Sequence, residues 1–346
     1  MEAIIAQAIK DTAVLRKTSV PWEVDKPQAQ GYYAFDSATS SWEAKSPTAG
    51  GDATQIHESE GIMNLALYTW NVDFMLPFAE ARMRPALAHL ESLTKPLPPT
   101  TASIIFLQEC TPKDLITITN TPWVKEHYYL LDIDSTNWAT THYGTTTLID
   151  SRLSIVSAFR VHYAKTRMDR DALFVDISLS GKTVRLCNTH LESMAFDPPF
   201  RPPQMELVAR YMHEGHLHSA LAAGDFNAIQ PFDRTLHKDN NNKLRDAYLE
   251  LEGKEDSSEG FTWGQQAATK LREQFGCSRM DKVYFCGDVK LVRFERFGED
   301  VLAEGEVEQK QIVDLGFEKP WVTDHLGVVA EVQLVTGSED THASQL

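Results

Sequence analysis

From Asn64 onward the chain is a succession of short apolar runs of strand length, with few helical stretches between them. The run NLALYTWNV carries a strand to Asn71, and ASIIFLQE carries another to Glu109. Similar runs recur over 128–133, 145–149, 154–162, 172–179 and 183–189, then over 282–286, 290–297 and 327–334. Apolar residues at helical spacing are confined to 78–93, 203–213 and 244–251. Many strands with so few helices predict an α/β protein of two packed, largely antiparallel sheets flanked by helices, and argue against a singly wound parallel sheet.

A chain of 346 residues has room for one large domain of this kind. Residues 62–335 are expected to form it. Residues 1–61 read as an amphipathic N-terminal helix followed by an irregular extension rich in Pro, Gly, Ser and Thr, and 336–346 as a polar tail. No run approaches the eighteen or so apolar residues of a membrane span, and the N-terminus lacks the pattern of a signal peptide. An intracellular monomer in the nucleus or cytoplasm, away from membranes, is the expectation. Cys110, Cys187, Cys277 and Cys286 are widely spaced and form no CxxC pair, so they read as reduced cysteines and not as a zinc site.

The net charge of −16 excludes an indiscriminate nucleic-acid binder, because phosphate contacts come from Lys and Arg. Residues 152–210 nevertheless hold nine Lys/Arg against six Asp/Glu, which leaves room for a narrow basic groove on an acidic body.

The strand ends carry the chemistry. The apolar LHSALAAG runs into GDFNA, which sets Asp225 and Asn227 two residues apart at the edge of a buried strand. TWNVD supplies Asn71 and Asp73, FLQE supplies Glu109, CNTHLES supplies His190 and Glu192, and VTDHLGV supplies Asp324 and His325. Each alone has a bland explanation as a turn, a cap or a solvated edge. Together they assemble hard oxygen donors, which suit magnesium or manganese, with imidazoles able to donate to charge developing on phosphorus. Asp225 is placed to act as base and Asn227 to orient the nucleophile, so the set reads as metal-assisted hydrolysis of a phosphate ester. HEGHLH, with His213, His216 and His218, falls where a helix ends, and histidine is favourable there without any metal.

The ordered series WN, QE, NTHL, GDFN and DH resembles that of the endonuclease/exonuclease/phosphatase superfamily, and the likeness covers roughly 62–335. The resemblance implies a four-layered α/β sandwich, with Asn71 and Glu109 at a magnesium ion and His190, Asp225, Asn227 and His325 around the scissile phosphate. It also implies that Asp281, in SRMDKVYF, pairs with His325. Within the superfamily the chain is most similar to the tyrosyl-DNA phosphodiesterases, which act on a tyrosine-blocked DNA 5′ end. That likeness gives Asp73 a metal role and places Tyr143, Trp263, Glu192, Ser193 and Asp324 against substrate.

The chain departs from the pattern at three positions. Phe74 stands where those enzymes keep a glycine, and Ala195 and Ile229 stand where they keep arginines for DNA phosphates. Lys165, Arg167, Arg170 and Arg201 are the available replacements, although each also reads as a surface charge. The expected function is therefore a metal-dependent phosphodiesterase for a blocked DNA 5′ end, as in DNA repair. The alternative is a related enzyme for RNA ends, inositol phosphates or phospholipid head groups.

Overall fold

The computed structural model describes residues 16–47 and 61–335. Three short strands come first: β1 (Pro27–Ala29), β2 (Tyr32–Asp36) and β3 (Ser41–Lys45). Then follow β4 (Asn64–Asn71), α1 (Ala79–Thr94), β5 (Thr101–Cys110), α2 (Pro112–Asn120), α3 (Pro122–His127) and β6 (Tyr128–Leu130). The middle of the chain forms β7 (Gly144–Asp150), β8 (Ser154–His162), β9 (Asp171–Leu179), β10 (Lys182–His190), α4 (Arg201–Met212) and β11 (Ser219–Asp225). After two 3-10 turns come β12 (Arg245–Asp246), α5 (Ala247–Glu250), α6 (Thr269–Phe275), β13 (Asp281–Gly287), β14 (Val289–Phe297), α7 (Glu306–Asp314) and β15 (Gly327–Leu334).

The strands make two sheets, ordered β1-β8-β9-β10-β11-β13-β12 and β14-β15-β4-β5-β7-β6-β2-β3. Only the β10/β11 and β4/β5 pairs are parallel among these neighbours. The period of two explains the layering. In β11, Leu221 and Ala223 face the core between the sheets, while Ala220 and Ala222 face α4 on the outside. In β4, Leu65 and Leu67 point inward, and Ala66, Tyr68 and Trp70 join the core beneath α1, α2 and α3. Strands covered on both faces read as unbroken apolar runs, which is why these were visible in the sequence. The result is the four-layered α/β sandwich.

Two expectations change. The stretch expected to be irregular contributes β1 to one sheet, against β8, and the β2/β3 hairpin to the other, against β6. Its scattered aromatics are the reason: Tyr32 packs on Tyr129, Phe35 on Trp42, and Trp22 stacks on His162 at 4.0 Å. The helix expected over 244–251 shrinks to one turn, because Arg245 and Asp246 are drawn into the sheet edge beside β13. The expected N-terminal helix and the polar tail lie outside the described residues. Among the described residues no helix is long and apolar enough to cross a membrane.

Candidate active site

Register builds the site. Across β10, β11 and β13 the paired residues at one end are His190, Asp225 and Asp281, so three separate segments deliver their polar residues side by side. Gly224 permits this crowding. Its φ is +148°, and a Cβ there would lie 1.8 Å from the Thr189 carbonyl oxygen. In the facing sheet β4 and β5 run parallel, pairing Asn71 with Gln108 and leaving Glu109 one residue beyond. Beneath, the Gln108 amide donates to Thr69 Oγ1 and to Asn188 Oδ1, and the Asn188 amide donates to the Thr146 carbonyl, tying the two sheets together under the site.

Asp225 is the hub. The Asn71 amide donates to its Oδ2 at 3.0 Å, the Asn227 N–H donates to its Oδ1 at 2.8 Å, and His190 Nε2 lies 3.3 Å from Oδ2. Burial favours the neutral acid, but His190, His325 and the Asn227 N–H outweigh it and hold Asp225 well below the usual carboxylate range. Asn227 sits at φ +47° with its amide donating to the Leu191 carbonyl.

The two histidines are set apart by their neighbours. His190 Nδ1 lies 2.7 Å from Arg170 Nη1. A guanidinium can only donate, so Nδ1 accepts and the ring proton sits on Nε2, toward Asp225. Burial, with Arg170 alongside, takes His190 down to about 4 and keeps it neutral. His325 Nδ1 is 2.8 Å from Asp281 Oδ2, and its Nε2 is 3.8 Å from both Asp225 and Asp324. Burial opposes charge on this ring, yet Asp281 and Asp324 prevail and raise it well above the usual histidine range. One neutral and one cationic imidazole therefore flank the same carboxylate.

On the opposite side, Glu109 leaves its strand at φ +60° and Asp73 sits at φ +52°. Glu109 Oε2 accepts the Phe74 N–H at 3.1 Å. Its Oε1 lies 3.7 Å from Arg170 and 3.8 Å from His190, beyond hydrogen-bond length. Burial, with Asp73 nearby, lifts Glu109 to about 7, and burial together with Asp73 lifts Asp324 to about 6. Among the described residues no three His, Cys, Asp or Glu side chains form a ready-made metal cluster. One or two carboxylates are nonetheless enough protein donors for a magnesium-like ion, which keeps several waters and takes its other oxygens from a substrate phosphate. Glu109 and Asp73, with the Asn71 amide oxygen beside them, fit such an ion, whose positive charge would favour the ionised form of Glu109.

The remaining sequence candidates divide. Trp263 pairs with His325 through a backbone bridge, and its indole N–H donates to Asp324 at 2.7 Å, so it stands beside the histidine with a half-exposed ring. Glu192 does not face substrate. It is fully buried, and its Oε2 accepts from Thr166 Oγ1 and the Arg167 N–H, which makes it the anchor of the 163–170 loop. Tyr143 also has no free face. Phe74 stacks on it at 4.1 Å, Arg170 lies 5.3 Å from its ring centre, and its hydroxyl donates to the Met168 carbonyl. Ser193 is held by Arg170 through its hydroxyl.

Arg170 and Arg201, read as surface charges, are both buried. Arg170 belongs to the site. Arg201 is paired with Asp233 and donates to the Glu192 and Met194 carbonyls, so it holds a loop. Little in the sequence marks Arg170 as part of a site: KTRMDR looks like any charged turn until β9 and β10 pair. Phe74, standing where the pattern has glycine, still brings its backbone N–H to Glu109, while the left-handed φ falls on Asp73 instead.

The sequence profile of the Endonuclease/Exonuclease/phosphatase family matches residues 68–325. The chain belongs to this family. Like other members of the endonuclease/exonuclease/phosphatase family it is a hydrolase of phosphoester bonds, and such enzymes depend on a metal ion. It is 25% identical to human tyrosyl-DNA phosphodiesterase 2 over 283 residues, which is 78% of this chain and 68% of that protein. Among solved structures it resembles D. rerio TDP2 complexed with a single-strand DNA product, at a TM-score of 0.59 and 18% identity over 78% of this chain and 99% of the other. It also resembles a mannosyl-6-phosphatase of Bacteroides thetaiotaomicron, at 0.55 and 15% over 79% and 100%. These structural likenesses speak to the fold.

Proposed function

We propose that this chain is a magnesium-dependent phosphodiesterase that removes a 5′-phosphotyrosyl or similarly blocked group from a DNA end in repair. The observation that carries it is the cluster at the strand ends: an ionised Asp225 between a neutral and a cationic histidine, facing Glu109 and Asp73. The names of its relatives, tyrosyl-DNA phosphodiesterases among them, point to this substrate.

Glu109, Asp73 and Asn71 would hold the ion, magnesium or in its place manganese. Such an ion would supply Lewis-acid polarisation of a phosphoryl oxygen and would offset charge on the leaving oxygen. Asp225 accepts a hydrogen bond from the attacking water and takes its proton as the new P–O bond forms and the P–O bond to the blocking group breaks, the leaving oxygen departing with that bond's electron pair. The same neighbours that keep it ionised make it a weak base, so much of its contribution is orientation. Asn227, fixed through its amide N–H to Leu191, offers its side chain to the same water. His325, protonated and steadied by Asp281, donates to the phosphoryl oxygens as the fifth bond forms, and His190 donates through Nε2. Trp263 supplies a flat face beside His325 for a base or a tyrosine ring, while Asp324 steadies its indole.

A second reading has a specific observation behind it. Of the four cations that stood in for the missing arginines, Arg170 and Arg201 are buried and engaged, leaving Lys165 and Arg167 exposed, and Ile229 lies exposed beside Asn227. So sparse a grip favours a short DNA end, or a smaller phosphoester altogether. Purified protein with magnesium is to be offered a 5′-tyrosyl oligonucleotide beside a panel of RNA ends, inositol phosphates and lipid head-group esters. Tyrosine release as the dominant reaction supports the proposal. Brisk turnover of another ester with none of the tyrosyl substrate overturns it in favour of the second reading.

A further inference from the structure

We infer that Phe74 is a positioning residue for the metal-binding carboxylates, acting through a three-layer stack that couples them to His190. The inference rests on the assignment of Glu109 and Asp73 to the ion, but not on which phosphoester is cleaved. Three observations carry it.

The first is that Phe74 binds at both ends. Its backbone N–H donates to Glu109 Oε2 at 3.1 Å, and its ring lies flat on Tyr143, with centroids 4.1 Å apart and planes 16° apart. The edge of His142 closes against the same ring at 5.4 Å and 88°. The stack therefore fixes the position of an N–H that fixes a carboxylate.

The second is that the stack does not stop at Tyr143. The Arg170 guanidinium lies over the Tyr143 ring, with its carbon 5.3 Å from the centroid, and the same guanidinium contacts His190 Nδ1 and the Ser193 hydroxyl. The Tyr143 hydroxyl is pinned to the Met168 carbonyl at 2.5 Å, which prevents the middle layer from sliding. Phe74, Tyr143 and Arg170 thus form one column running from the carboxylates to the histidine. An arginine over an aromatic face is attracted by the ring quadrupole, and offset aromatic stacking adds to that.

The third is that the carboxylates need such support. Asp73 and Glu109 both have left-handed backbones, at φ +52° and +60°, a conformation that persists only where the surroundings over-determine it. Asp73 is tied by Asn71 Oδ1, which accepts its N–H, and by Arg82, which donates to its carbonyl. For Glu109 the pairing of β5 with β7 breaks between Leu107 and Cys110, across its own position. Its side chain takes a hydrogen bond from the Phe74 N–H at 3.1 Å, while Arg170 and His190 stand farther off, at 3.7 and 3.8 Å from its other oxygen. Residues of this kind commonly change metal affinity or activity by roughly 10–100-fold when removed.

The test compares Phe74→Ala and Phe74→Tyr with the wild type. Mn2+ affinity is to be measured by calorimetry on the free protein, and kcat and KM on a cleavable phosphoester. Phe74→Ala keeps the N–H but loses the ring, and Phe74 is only half-buried, so the fold should hold; thermal unfolding verifies this. The expected result is Mn2+ binding weakened about tenfold or more with a fall in kcat, both restored by Phe74→Tyr. Unchanged Mn2+ affinity in folded Phe74→Ala overturns the inference. So does a change confined to KM, which would make Phe74 a substrate contact. Because the metal titration contains no substrate, failure here is separable from failure of the tyrosyl-DNA assignment.

Discussion

Asp281 is fully buried and spends one carboxylate oxygen on His325 Nδ1. Its negative charge is a leading reason that His325 stays protonated above its ordinary range. Replacing Asp281 by Asn removes that charge and lowers the His325 pKa, so the cationic donor is lost at lower pH. The alkaline limb of the activity profile should move toward acid by about one unit or more, each unit being worth ~1.4 kcal/mol. A pH–rate profile of Asp281→Asn against wild type reads this directly, and an unmoved limb would remove His325 as the cationic donor. At this scale the sequence was informative where a residue ended an apolar strand and misleading where it did not. Asp225 and His190 stood out because nothing polar belongs at the end of SALAAG or VRLCNT. Glu192 looked equivalent to His190 at a spacing of two, yet the chain leaves the sheet after His190 and turns the carboxylate toward Thr166.

Among the elements, α1 does more than cover a sheet. Its Arg82 is buried and donates to the carbonyls of Val72, Asp73, Leu76, Pro77 and Val322, gathering the loop that carries Asp73 and the approach to Asp324 and His325. Replacing it by Met keeps the packing stem but leaves those acceptors unpaired. Leaving one buried group unsatisfied costs about 1–3 kcal/mol, so Arg82→Met should lose at least ~3 kcal/mol in urea unfolding. Gly224→Ala should also destabilise, because a Cβ would strike the Thr189 carbonyl between β10 and β11. Its signature is a loss of activity larger than the loss of stability, since those two strands hold His190 and Asp225 in register. Neither role was legible in advance. Arg82 sits in a helix whose spacing is amphipathic, where a charge reads as solvent-facing. β1, β2 and β3 escaped for a different reason: they are three to five residues long and half-exposed, so no alternation marked them.

For the molecule as a whole, the two-sheet core was readable because doubly covered strands cannot hide their apolar runs, whereas the packing of 16–47 depends on contacts far away in sequence. Two buried histidines, one of them beneath that segment, give the fold a pH signature. His162, stacked beneath Trp22, and His237, stacked on Tyr284, are pushed down to about 4 by burial, and neither ring has a hydrogen-bond partner. Both are neutral in the fold, while the unfolded chain takes up protons near the ordinary histidine value of about 6.5. Stability is therefore complete above that value and falls as pH drops from there toward 4. Melting temperatures measured across this range should show the decline, and His237→Phe, which keeps the stack on Tyr284, should make it shallower. An identical slope in the variant would assign the acid sensitivity elsewhere.

In the proposed reaction Asp225, set among these histidines and opposite the carboxylates that would hold the metal, activates water against a tyrosine-blocked DNA end. Its most direct test is the single-turnover rate of tyrosine release from a 5′-tyrosyl oligonucleotide, for wild type and Asp225→Asn, with magnesium and with a chelator. Release by wild type that the chelator abolishes is expected, with a fall of about 10²–10⁴-fold in a folded Asp225→Asn protein. Equal rates in the two proteins, or release that persists without metal, would contradict it.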